Sequence, residues 1–65
     1  MTVVRMTPEQ RREMVVDAAR KILKERGAWA VTHGAVAKRC VAPTSVSTVR
    51  HYFPTKEDLV RAASD

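Results

Sequence analysis

Residues 39–56 read RCVAPTSVSTVRHYFPTK. The central residues Ser45, Val46, Ser47, Thr48 and Val49 are indifferent helix formers, yet they sit between two helix-like segments and lead into a basic, aromatic end. Either the stretch is a loop, or it is a helix kept weak because its side chains serve something outside the fold. The punctuation favours a helix. Pro43 disfavours helical geometry at Ala42 and so ends the segment before it. Thr44 or Ser45 can then supply the oxygen that caps a new helix. Val49 and Phe53, four residues apart, give that helix an inward edge, with Val46 and Tyr52 flanking it, and Pro54 closes it. A short helix is predicted over about residues 45–52.

Downstream, Thr55-Lys56-Glu57-Asp58 offers a second cap, with acids in the first turn where the helix dipole favours them. A helix over about 56–63 follows, carrying Leu59, Val60 and Ala63 inward. Upstream, Thr32 can cap a helix over about 33–40 with Val36, Ala37 and Cys40 on one face. Gly34 and β-branched Val36 make that helix weak alone, so packing must hold it. Further back, Thr7-Pro8-Glu9-Gln10 combines an N-cap, a proline at the first helical position and a capping-box glutamine. Val15, Ala18, Ala19, Ile22 and Leu23 then recur at helical spacing, and Gly27 is placed to end the helix in the left-handed conformation. These signals predict a helix over about 8–26, a connector holding Trp29 and Val31, and a flexible arm over 1–6 ahead of one domain spanning 7–65. The fold class expected is all-α: a small helix-turn-helix domain, with a three-helix homeodomain-like core and a short fourth helix.

A chain of 65 residues buries only about 60% of its unfolded surface, so stability depends on tight helix packing or on a partner. Its one cysteine excludes an internal disulfide, and Cys40 with two histidines makes no zinc-ligand spacing. Nothing approaches a membrane span or a signal peptide, which makes the cytoplasm the expected compartment. Twelve Lys and Arg against seven Asp and Glu give a net charge of +5. From Arg20 to Lys56 the bias is stronger, with eight basic residues and Glu25 as the one acid. Such a field attracts polyanions, nucleic acid foremost, although a solvated basic surface has the same composition.

Two short helices joined by a Pro-containing turn behind a longer helix match the helix-turn-helix plan, whose second short helix enters the DNA major groove. The outward face of that helix then needs small hydroxyls and basic groups, since bulky apolar side chains would hold it off the base edges. Ser45, Ser47, Thr48, Arg50 and His51 meet the requirement. Hydroxyls can bond bases or phosphates, and a guanidinium can fork onto guanine O6 and N7. Turn and cap service is the ordinary duty of Ser and Thr. One cap uses one hydroxyl, however, and positions 44–48 hold four.

At this point the sequence resembles the tetracycline-repressor (TetR) family of bacterial transcription regulators. The resemblance rests on VVDAARKILKERGAWAVT, VAKRC and SVSTVRHYFPTKEDLV, within about residues 10–60, and HYFPTKEDL is its most specific run. It implies that Thr32 holds a DNA phosphate, that Ser45, Val46, Ser47, Thr48, Arg50 and His51 face the groove, and that Tyr52 and Lys56 hold backbone phosphates. His33, near a helix N-terminus, and Thr44, one of the four clustered hydroxyls, are further DNA-binding candidates from the residues themselves. Val49 and Phe53 would be core. Three departures stand out. The turn Cys40-Val41-Ala42-Pro43-Thr44 is two residues longer than the family's Ala-Gly-Val. Ser47 and Arg50 replace the family's frequent Gly and Tyr. Members normally continue into a larger helical domain that binds a ligand and forms the dimer, whereas this sequence ends at Asp65.

The resulting expectation is a sequence-specific double-stranded DNA binder, a minimal transcriptional repressor in a bacterial or bacteriophage-infected cell. It would need no cofactor, metal or small-molecule effector, and two copies would pair on DNA. Two alternatives stay open: a basic helical module that docks on an acidic protein, or the excised DNA-binding domain of a longer regulator. Cys40 reads as a small core residue rather than a redox sensor, and Trp29 as core rather than a stacking platform. His33 can donate to a phosphate or be merely an exposed polar residue. Arg5, Arg11 and Arg12 fit either a DNA-contacting arm or solvated surface. No nucleophile and base pair, carboxylate pair or phosphate loop supports enzymatic chemistry.

Overall fold

The computed structural model describes residues 6–64. Helix α1 spans Pro8–Arg26, a single 3₁₀ turn spans Ala28–Ala30, and α2, α3 and α4 span His33–Arg39, Val46–Tyr52 and Lys56–Ser64. The helix starts follow from local chemistry. Thr7 accepts from the Gln10 amide at 3.1 Å while the Gln10 side chain accepts from the Thr7 amide at 3.0 Å, completing the capping box. Thr32 accepts from the Ala35 amide at 3.1 Å, and Ser45 from the Thr48 amide at 3.2 Å. Of the two candidates for capping α3, Ser45 is the one used. Thr55 and Asp58 exchange bonds of 3.1 and 3.3 Å at the start of α4.

The long α1 is the backbone of the packing, with α2 and α4 against it and α3 resting mainly on α2. Val15, Val31, Val36, Val49 and Leu59 are completely inaccessible to solvent. Around them pack Ala18, Ala19, Ile22, Ala37, Phe53 and Ala63. So many alanines let the helices approach closely, and they leave the core with little volume. Phe53 is the large aromatic within it, at 4% exposure.

Several expectations change. Trp29 is not core: it is 74% exposed. The 3₁₀ turn sends its neighbours Ala30 and Val31 inward and the indole outward, where it lies over Gly27. Gly27 ends α1 with φ +94° and ψ 172°, so it has the positive φ expected but an extended ψ rather than the left-handed helical one. That region is essentially restricted to glycine. Helix α2 stops at Arg39, with Cys40 as its C-cap, three residues before the limit set by Pro43. Cys40 is half-buried at the core's edge and donates its thiol to the Val36 carbonyl at 3.1 Å. Burial pushes the thiol's pKa up, with a Thr44 hydrogen bond opposing. Met14, which the periodicity did not single out, is buried on α1. The arm expected over residues 1–6, Arg5 included, lies outside the described residues except for Met6.

Three substitutions test this account by urea or thermal unfolding. Leu59→Ala is expected to cost about 2–5 kcal/mol through the cavity it leaves, enough to unfold much of so small a domain. Ser45→Ala should cost about 1 kcal/mol through loss of the α3 cap. Gly34 lies in α2 and a β-carbon there would meet open space. Gly34→Ala should therefore stabilise the domain by about 1 kcal/mol, raising Tm by roughly 4–8 °C.

Candidate nucleic-acid interface

The outward surface of α3 is built by exclusion. Val49 and Phe53 face the core, fixing one side of the helix, and Tyr52 is half-buried beside them. Ser47 and His51 point the opposite way, with Val46 and Arg50 one turn apart along one flank and Thr48 on the other. Val46, Ser47, Arg50 and His51 are exposed.

The hydroxyls divide into two groups. Thr44 donates to the Ala42 carbonyl at 3.0 Å, which shapes the long turn between α2 and α3. Ser45 caps α3, and its oxygen lies 3.0 Å from that of Thr48. Three of the four hydroxyls at positions 44–48 thus make local bonds, and more of them serve the fold than the one required by a single cap. Among the described residues, Ser47 and Arg50 make no hydrogen bond or ion pair. The ring of His51 meets Tyr52 edge-on at 5.2 Å.

At the other end of α3, two long-range bonds bring together residues far apart in sequence. The His33 Nε2–H donates to the Phe53 carbonyl at 2.6 Å, joining the first turn of α2 to the C-cap of α3. A carbonyl only accepts, so the proton sits on Nε2. His33 is therefore a clamp within the fold, with its Nε2 engaged by the Phe53 carbonyl. The Lys56 Nζ donates to the Trp29 carbonyl at 3.2 Å, tying the start of α4 to the 3₁₀ turn. Thr32, Tyr52 and Lys56 accordingly gather near one end of α3. Thr44 and Ser45 lie at the other end, roughly 10 Å away along a seven-residue helix.

The basic surface is only lightly neutralised. Arg39 grips both oxygens of Glu25, with Nη1 at 2.9 Å from Oε1 and Nη2 on Oε2. Lys21 pairs with Asp17 at 3.2 Å. Both pairs are solvent-exposed and contribute little to stability. Arg12, left open between arm and solvated surface, places its guanidinium 5.2 Å from the centroid of the Phe53 ring and covers the anchor of α3. The sequence signal missed here is the distance between partners: Arg12 and Phe53, like His33 and Phe53, meet only through the tertiary fold. Among the described residues no helix is long and apolar enough to cross a membrane, and no cluster of His, Cys, Asp and Glu could hold a metal ion.

Comparison with known proteins agrees with this arrangement. The family model described as "Bacterial regulatory proteins, tetR family" matches residues 15–63, from the first fully buried valine of α1 to the last buried alanine of α4. The chain is 38% identical over 56 residues to the HTH-type transcriptional regulator LuxR of Vibrio harveyi, an alignment covering 86% of this chain. The chain spans 26% of that regulator's length. No solved structure matches it. Four helices in the expected order, an exposed face on α3 and a family match across nearly all of the buried core lead to one assignment: the chain belongs to the tetR family of bacterial regulatory proteins, as its N-terminal helix-turn-helix domain.

Proposed function

We propose that this domain binds double-stranded DNA in a sequence-specific manner, with α3 in the major groove, and that it serves transcriptional regulation. The observation that carries the proposal is the outward face of α3, where Ser47 and Arg50 are exposed and have no structural duty among the described residues. Arg50 reads guanine through its forked donors, and Ser47 bonds a base edge or phosphate. Thr32, Tyr52 and Lys56, gathered at one end of the helix, hold the phosphate backbone. Lys56 has three ammonium donors and one is given to Trp29, leaving two for phosphate oxygens. His33 contributes by fixing α2 to α3 rather than by touching DNA.

One such domain makes few contacts, so two copies on adjacent half-sites supply the affinity that one lacks. Occupying an operator blocks other proteins from the same duplex, which makes repression the direct outcome. Such binding places the domain in the cytoplasm, where a bacterial chromosome lies. The basic surface raises the association rate and makes binding sensitive to salt.

Site selection from a randomised duplex pool, followed by anisotropy titrations at several salt concentrations, tests the proposal. Arg50→Ala should cost about 1–3 kcal/mol and relax preference at one base pair. Lys56→Ala should weaken every duplex alike and lower the salt slope by about 1. Equal binding of all duplexes, or of none, would overturn the proposal.

A further inference from the structure

Resting on the DNA-binding function proposed above, we infer that Val46 reads the 5-methyl group of a thymine lying one or two base pairs from the guanine read by Arg50. Val46 is the first residue of α3 and 40% exposed. Solitary exposed valines are ordinary on protein surfaces, but this one occupies the turn that helix-turn-helix proteins bring closest to the base edges. It is also a β-branched residue at an exposed helical position, where helix propensity gives no reason for it.

The surrounding groups narrow what the turn can recognise. Ser45 is committed to the Thr48 amide and lies against the Thr48 hydroxyl, and Thr44 is committed to the Ala42 carbonyl. Apart from the open Ser47 hydroxyl, the leading turn of α3 therefore presents the two methyl groups of Val46, which carry no donor or acceptor for adenine, guanine or cytosine. In the major groove, the base feature that rewards an apolar contact is the thymine methyl.

The position of Arg50 sets the spacing. Residues four apart on a helix carry their β-carbons about 6 Å apart. Base steps along one strand are about 3.4 Å. Val46 and Arg50, on one flank, therefore fall on base pairs one or two steps apart. Ser47 lies just round the helix with a hydroxyl that can donate or accept, and so discriminates least. The half-site core is thus a T·A pair close to a G·C pair.

The test uses the 65-residue chain and a duplex taken from the selection. Each thymine is replaced in turn by deoxyuridine, which keeps the base pairing and removes only the methyl. One thymine per half-site, one or two base pairs from the invariant guanine, should weaken binding roughly fourfold on replacement, the worth of one buried methyl. Val46→Ala should bind the parent duplex roughly fourfold more weakly and be indifferent to uracil at that position. Because Val46 is exposed and alanine is the better helix former, circular dichroism should show the variant folded. If a sequence is selected but no uracil matters, or if Val46→Ala keeps the full uracil penalty, the inference about Val46 fails while DNA binding stands. If no sequence is selected at all, the underlying function fails first.

Discussion

The position of α3 depends on Phe53. A helix of seven residues is far too short to persist alone in water, and this one is made largely of residues that favour other conformations. Phe53 holds it from three directions. Its ring is buried in the core beneath the Arg12 guanidinium, its amide closes the last turn onto Val49 at 2.9 Å, and its carbonyl takes the His33 imidazole. With Ser45 capping the opposite end, the helix is fastened at both termini and along one side. Its weak propensity then costs little, because tertiary contacts rather than intrinsic preference decide whether it forms.

The same fastening organises what surrounds it. His33 connects the α3 terminus to α2, and Lys56 connects α4 to the turn that precedes α2. Both links run between a side chain and a backbone carbonyl, so they fix relative helix positions without requiring a particular side chain on the accepting residue. In a core built mostly from alanine and valine, with short helices and no disulfide, such links supply orientation that apolar packing alone would leave loose.

Much of this was legible in the sequence because much of it is local. Helix starts were written in residues a few positions apart, Thr7 with Gln10 or Thr55 with Asp58, with α3 narrowed to Thr44 or Ser45, and α1 and α3 end beside Gly27 and Pro54, while α2 stops short of the limit set by Pro43. The core positions of α1 and α3 followed from periodicity. What was not legible depends on partners brought together by folding. Trp29 looked like core because large apolar residues are scarce here, yet the direction of the backbone decides burial, and the 3₁₀ turn buries Ala30 and Val31 while it leaves the indole outside. The hydroxyls at 44–48 looked surplus because a single cap was assumed; the longer turn uses Thr44, and Thr48 joins the cap at Ser45. His33 could not be paired with Phe53 from the sequence, since the two lie 20 residues apart.

The division of labour on α3 has an evolutionary consequence. The residues that keep the helix in place, Ser45, Val49 and Phe53, are distinct from those its surface presents, Val46, Ser47, Arg50 and His51. Among the described residues Ser47 and Arg50 make no hydrogen bond or ion pair, His51 only meets the Tyr52 ring, and Val46 is partly exposed, so stability restricts these positions less than it restricts Ser45, Val49 and Phe53. A lineage carrying this domain can drift across that surface and acquire new preferences while the scaffold beneath stays unchanged.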